Sequence, residues 1–219
     1  MGYLRPISLG ALLAVGHAPF NLWFLSFSAI CLCFLDIVKQ RKRSDIALYL
    51  MLLGMGYFIL TLNWIAEPFF VDFRSHAWIA PVAIFFMSVT MAFFWCAFSY
   101  VFAPFGARWA LLLGIATAEY FRSFVLTGFP WGTIASLFVN SPLGQLLAIF
   151  GPFGLGLFVF VLVMYLIFLV ETKKFSSAVG GIFVLSLLFL WGFQRQNHEV
   201  LFTDKTICLL YTSPSPRDN

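Results

Sequence analysis

Four stretches of this chain run without a single charged residue: Ile46–Ala66, Ala77–Ala107, Ser123–Val170 and Phe175–Gln194. A helix needs about 20 apolar residues to cross the hydrocarbon core of a bilayer, about 30 Å thick, and each stretch reaches that length. The chain is 62% hydrophobic and 10% charged, against about a quarter charged in soluble domains. The runs are continuously apolar rather than alternating, which argues against a membrane β-barrel. Backbone groups in lipid must bond within their own segment, which leaves helices. The sequence predicts an all-α polytopic membrane protein.

The net charge of +4 is no nucleic-acid footprint, because the basic residues cluster in short loops between apolar runs, where they report topology. The first apolar block, about Leu4–Val38, is split by the turn signal His17-Ala18-Pro19-Phe20-Asn21. Its arms are either two short spans or a re-entrant hairpin, and apolar sequence resumes directly after Pro19, so it reads as a retained helix rather than a cleaved leader. Further spans are expected at about Ile46–Trp64, Trp78–Phe102, Trp109–Leu126, Leu143–Val170 with a kink at Gly151-Pro152, and Ser177–Gln194. That makes about seven transmembrane helices. One set of loops holds eight basic residues, Arg5, Lys39, Arg41, Lys42, Arg43, Arg108, Lys173 and Lys174; the other set holds Arg74, Arg122 and Arg195. The positive-inside rule puts the first set, and the N-terminus, in the cytoplasm, and the chain after residue 195 outside.

That orientation gathers several unusual residues at the outer face. Glu119 and Arg122, spaced i, i+3, share one helix face, and ionisable residues at membrane depth are functional candidates by default. The alternative is an ion pair that braces the helix. Thr127-Gly128-Phe129-Pro130-Trp131 follows, combining a residue for tight backbone, a helix blocker and an interfacial aromatic. Then come Pro142, Gln145, Gly151 and Gly154, while Asn63-Trp64-Ile65 and Glu67 leave the third apolar run on the same side.

The order E-x-x-R, T-G-F-P-W, P-x-x-Q, G-x-x-G, together with Ala18-Pro19-Phe20 and Asn63-Trp64-Ile65, resembles the bacterial apolipoprotein N-acyltransferases over about residues 4–207. The resemblance implies a cytoplasmic (inner) membrane enzyme. Its membrane base would carry an extracytoplasmic nitrilase-like α/β domain between the seventh and eighth helices. A Cys thiolate, with a Glu base and a Lys, would take an acyl chain from a membrane phospholipid as a thioester. The N-terminal amine of a diacylglyceryl-cysteine apolipoprotein would then accept it. No cofactor or metal is implied. The substrate-facing residues suggested here are Trp64, Glu67, Glu119, Arg122, Gly128, Pro130 and Trp131, shaping a lateral lipid entry, with Trp131 against acyl chains and Arg122 holding Glu119 or a lipid phosphate.

The sequence departs from that family after the last apolar run. Only Glu199, Lys205 and Cys208 share the triad's residue types, too close together to form it, so no catalytic residue is expected in this chain and it should be inactive by itself. CLLYTSPSPRDN resembles a translated adapter or vector junction. The expected organisation is a transmembrane domain over 1–195, the start of the absent nitrilase-like domain over 196–207, and a non-native tail over 208–219.

Other residues read as structural. His17 sits beside a turn proline as a cap or packing residue, and His76 and His198 stand alone. Cys31, Cys33 and Cys96 lie in apolar runs, and no cysteine spacing suggests a framework. Gly151-x-x-Gly154-x-Gly156 suits close helix packing and follows no strand, so it is no phosphate loop. A small transporter is the competing function, and polar stripes or an inverted repeat would mark it; neither is visible. A non-catalytic scaffold is the other, distinguished by what the reading frame encodes beyond codon 207.

Overall fold

The computed structural model describes residues 3–125, 128–173 and 175–197; the side chains of 175–180 and 182–184 are excluded. Residues 198–219, with nearly all of the expected extracytoplasmic start and tail, lie outside the described residues, as do Leu126, Thr127 and Lys174. The described residues form helices and turns only. They are α1 (Leu4–Ala14), α2 (Trp23–Ile37), α3 (Arg43–Thr61), the short α4 (Glu67–Phe70) and α5 (Phe73–His76), α6 (Ile79–Phe102), α7 (Ala107–Arg122), α8 (Leu147–Thr172) and α9 (Phe175–Gln196).

Among the described residues, three helical segments are long and apolar enough to cross a membrane: Arg43–Thr61, Ile79–Phe105 and Pro142–Thr172. That is fewer than the seven expected, and the shortfall has a physical cause. α1 has 11 residues and α2 has 15, about 16 and 22 Å at 1.5 Å per residue. The His17–Asn21 turn, with its cis Ala18–Pro19 peptide, ends α1 well before it could span. α7 has 16 residues, because the chain leaves the helix after Arg122 and runs as loop and 3₁₀ turns (Ile134–Phe138, Pro142–Leu146) until α8 starts.

That loop is apolar because it is buried in the bundle: Ile134, Ala135, Leu137 and Phe138 are all fully buried. The expected kink in α8 is present. Gly151 adopts φ 66° and ψ −179° inside the helix, and Pro152 supplies no N–H to continue the ladder.

α3 lies at the centre, against α1 on one side and α6 on the other. Helices in lipid gain no hydrophobic driving force from one another and rely on close packing through small residues. The α1–α3 contact shows this: a Cβ on Gly10 would stand 2.0 Å from the Leu53 carbonyl, and one on Gly56 would stand 2.1 Å from the Ile7 carbonyl. Across α3 and α6, Tyr57 and Trp95 stack with centroids 5.3 Å apart, and Phe58 packs on both.

The bundle has two chemically distinct ends. At one, the Asp36 carboxylate, 1% exposed, accepts from Arg5 Nε at 2.5 Å and Lys39 Nζ at 2.6 Å, tying the start of α1 to the end of α2. There too Arg108 of α7 pairs with Glu171 of α8. At the other end, Asn140 Nδ2 donates to Asn21 Oδ1 at 2.7 Å and Gln196 Nε2 donates to the Ser141 carbonyl at 2.9 Å.

Candidate functional site

The second end holds the residues singled out by the sequence. Glu119 and Arg122 occupy the last turn of α7 and are buried, 2% and 1% exposed. Both reach into the loop that follows. Ile134 N–H donates to Glu119 Oε1 at 2.8 Å. Arg122 Nη2 donates to the Gly132 carbonyl at 2.8 Å, and the Arg122 backbone carbonyl accepts from Phe129 N–H at 2.8 Å. One helical turn therefore fixes the loop at three points between residues 129 and 134. The guanidinium also sits 5.2 Å over the Phe58 ring, with Nη1 3.6 Å from Met91 Sδ. Burial and these partners commit Arg122 to the loop rather than to a headgroup in solvent.

The loop conformation needs its glycines. Gly128 has φ 77°, and a Cβ there would stand 2.3 Å from the Ser123 carbonyl. Above this clamp the loop exposes aromatic surface. Trp131 is 56% exposed and its ring lies 5.2 Å from Phe129. Trp64, in the 3₁₀ turn that ends α3, is 48% exposed and 6.4 Å from Trp131. Pro130 is exposed between them in sequence, and Glu67 is exposed at the start of α4. The structure thus divides the seven predicted residues. Trp64 and Trp131 form one surface with Pro130 at its edge, Gly128 shapes the turn, Glu119 and Arg122 lie beneath as its support, and Glu67 stands exposed at the start of α4.

Sequence reasoning missed a second support. His17 Nε2 lies 2.8 Å from Tyr57 Oη, and Tyr57 Oη donates to the Thr133 carbonyl at 3.4 Å. This chain links the α1–α2 turn to the same loop. Burial pushes the His17 imidazole down to about 4, so it is neutral at physiological pH. The only sequence signal was His17 beside a turn proline; nothing marked Tyr57 among the apolar residues of α3. Among the described residues, no group of three or more His, Cys, Asp or Glu side chains could hold a metal ion.

Comparison with known proteins places the sequence in a family. The family model described as the apolipoprotein N-acyltransferase N-terminal domain matches residues 9–165, more than half of the chain. Proteins named apolipoprotein N-acyltransferase are similar to it. The Caulobacter vibrioides protein is 29% identical over 154 residues, covering 67% of this chain and 29% of that protein. The Haemophilus ducreyi protein is 28% identical over 178 residues, covering 77% of the chain and 34% of that protein. The Rhodopseudomonas palustris protein is 31% identical over 163 residues, covering 68% and 30%. The chain spans about a third of the length of these relatives.

Proposed function

The chain belongs to the apolipoprotein N-acyltransferase N-terminal domain family, and from that premise we propose that it forms the membrane part of an enzyme that N-acylates lipoproteins. In this reading a phospholipid of the cytoplasmic membrane is the acyl donor and the N-terminal amine of a diacylglyceryl-cysteine apolipoprotein is the acceptor. Transfer runs through a cysteine thioester in a nitrilase-like domain outside residues 1–195. The thiolate displaces a lysophospholipid from the ester, and the amine then displaces the thiolate from the thioester. A thiolate is a strong nucleophile, and a covalent intermediate divides one difficult substitution into two easier ones. Residues 1–195 by themselves are expected to bind lipid without turnover.

The orientation follows from the same reading. α3, α6, α8 and α9 cross the membrane, the shorter α7 crosses together with the loop that follows it, α1 and α2 form a hairpin that returns to the basic side, and that side faces the cytoplasm. The support is the gathering of Arg5, Lys39 and Arg108 at one end of the bundle, bound there to Asp36 and Glu171.

The observation that carries the functional reading is the exposed Trp64–Trp131 surface over a buried clamp. Two large apolar rings held 6.4 Å apart at the outer end suit acyl chains entering from the bilayer, and the Glu119 and Arg122 bonds keep them from collapsing inward. Glu67 and Pro130 border that entry. The test uses a full-length protein carrying these residues, supplied with phospholipid and a diacylglyceryl-cysteine peptide, with the N-acylated product read by mass. Trp131→Ala is expected to lower transfer about tenfold, equivalent to about 1.4 kcal/mol of lost aromatic contact. Unchanged transfer by a normally assembled variant refutes the substrate role.

A further inference from the structure

A sizeable cavity lies at the end opposite to Trp131. It has a volume of about 780 Å³ and is walled by the α2–α3 connection, the α6–α7 turn and the second half of α8. That volume falls within the range of about 300–1,000 Å³ common for small-molecule sites. Its walls divide by chemistry. Arg41 and Arg108 supply positive charge at the mouth, while Val161, Met164 and Phe168 of α8 supply an apolar stripe spaced i, i+3, i+7. Arg108 gives two of its nitrogens to Glu171, yet its Nε is buried and without a hydrogen-bond partner. Trp109, 45% exposed, completes the mouth, where an interfacial indole is at home. Val161 and Tyr165 also wall a second, apolar cavity of about 330 Å³ with Phe158, Leu162, Leu185 and Leu188.

We infer that this end of the bundle binds one anionic phospholipid, its phosphate between Arg41 and Arg108 and its acyl chains along the Val161–Phe168 face of α8. Basic pockets between membrane helices on the cytoplasmic side are suited to anionic headgroups. Charge complementarity selects the occupant: the lining holds two guanidiniums and no carboxylate, and Arg108 keeps a buried Nε beyond its pair with Glu171. The site lies at the other end of the bundle from the Trp64–Trp131 surface, so its lipid is a bound constituent that ties α2, α7 and α8 together, not the acyl donor.

The choice of leaflet rests on the orientation proposed above, whereas binding itself does not, so the experiment is done in detergent. The purified chain is titrated with dioleoylphosphatidylglycerol or dioleoylphosphatidylcholine, and native mass spectrometry counts retained lipid. One phosphatidylglycerol per chain is expected, in preference to phosphatidylcholine. Arg41→Gln and Arg108→Gln are each expected to weaken retention about fivefold, as for the loss of one basic contact to an anionic lipid. Val161→Trp, which fills the cavity without changing charge, should weaken it as well, and Arg74→Gln at the other end should not. If Arg108→Gln loses helicity by circular dichroism, Arg41→Gln and Val161→Trp decide. Equal retention of both lipids, or an Arg41→Gln chain that holds phosphatidylglycerol as the parent does, overturns the inference. Displacement of the lipid by millimolar inorganic phosphate overturns it too, since the site would then be one for free phosphate. A wrong orientation would show instead in cysteine accessibility.

Discussion

Replacing Arg122 with methionine tests the clamp beneath the loop. Methionine keeps the aliphatic stem and removes the guanidinium, together with its contact over the Phe58 ring. The Gly132 carbonyl then loses the donor now 2.8 Å away, and an unsatisfied buried carbonyl costs about 1–3 kcal/mol. Glu119, 2% exposed and one turn away, makes no direct ion pair with Arg122 but loses the positive charge that offsets its burial, which costs less than the about 3–5 kcal/mol of breaking a buried ion pair. The two costs overlap, so about 2–4 kcal/mol is expected in total. At about 2–4 °C per kcal/mol for a chain of this size, Tm in detergent should fall by at least about 4 °C, read from tryptophan fluorescence. Glu119→Gln in the same chain supplies the control. A glutamine carbonyl still accepts from Ile134 N–H, and the lone buried charge is gone, so the double variant should be more stable than Arg122→Met. Contacting residues of one network couple in this way, by about 0.5–3 kcal/mol. A Tm within about 2 °C of the parent for Arg122→Met, or strictly additive losses in the double variant, would refute the reasoning.

Gly56→Ala places a Cβ 2.1 Å from the Ile7 carbonyl, a backbone clash that rotamer changes cannot relieve. It should cost about 1–3 kcal/mol or more, seen as a lower Tm and a smaller monodisperse fraction on size exclusion. His17, held at about 4 against an ordinary 6.5, gives a pH dependence of definite sign. Its folded value is depressed and the neutral form is favoured, so full stability is present above pH 6.5 and is lost as pH falls toward 4. Linkage puts the loss near 2 kcal/mol at pH 5; Tm measured at pH 7 and pH 5 should show it, and His17→Gln should flatten the difference. In intact cells, Pro130→Cys should react with an impermeant maleimide and Lys42→Cys should react only after the membrane is opened; the reverse pattern overturns the orientation.

Much of the helix plan was legible because charge and hydropathy fix where apolar runs stop. The expected Ile46–Trp64 and Trp78–Phe102 spans became Arg43–Thr61 and Ile79–Phe102, and Gly151-Pro152 marked the kink in α8 through backbone chemistry alone. The uncharged stretch from Ser123 to Val170 misled in part. Hydropathy reports removal from water, and Ile134, Leu137 and Phe138 are removed from water by the bundle while in 3₁₀ turns, not by lipid. Periodicity placed Glu119 and Arg122 on one face correctly, since i, i+3 is a property of the helix. Their targets were not legible: Gly132 and Ile134 offer backbone atoms, and any residue type carries those. The Trp64–Trp131 contact joins two distant parts of the chain, and only packing of α3 beside the loop brings them together.

The two buried charges and the broken helix explain each other. Non-helical backbone at membrane depth persists only where protein satisfies its polar groups, because an unmade bond costs far more there than in water. After Arg122 the chain abandons the helical ladder, exposing the Phe129 and Ile134 N–H groups and the Gly132 carbonyl to that cost. The Arg122 backbone carbonyl, the Glu119 carboxylate and the Arg122 guanidinium take up these three groups in turn. Each alone would be an expensive residue to bury, and together they stabilise a loop that an apolar helix end could not hold. The loop in turn presents Trp131 beside Trp64 at the end of the bundle opposite to Asp36, a position that a continuous helix through residues 123–146 would not offer. On the proposed function the charges act through shape, as positioning residues for an aromatic surface. Substitutions at Glu119 or Arg122 should lower activity and stability together, whereas Trp131→Ala should lower activity while leaving stability within about 0.5 kcal/mol of the parent.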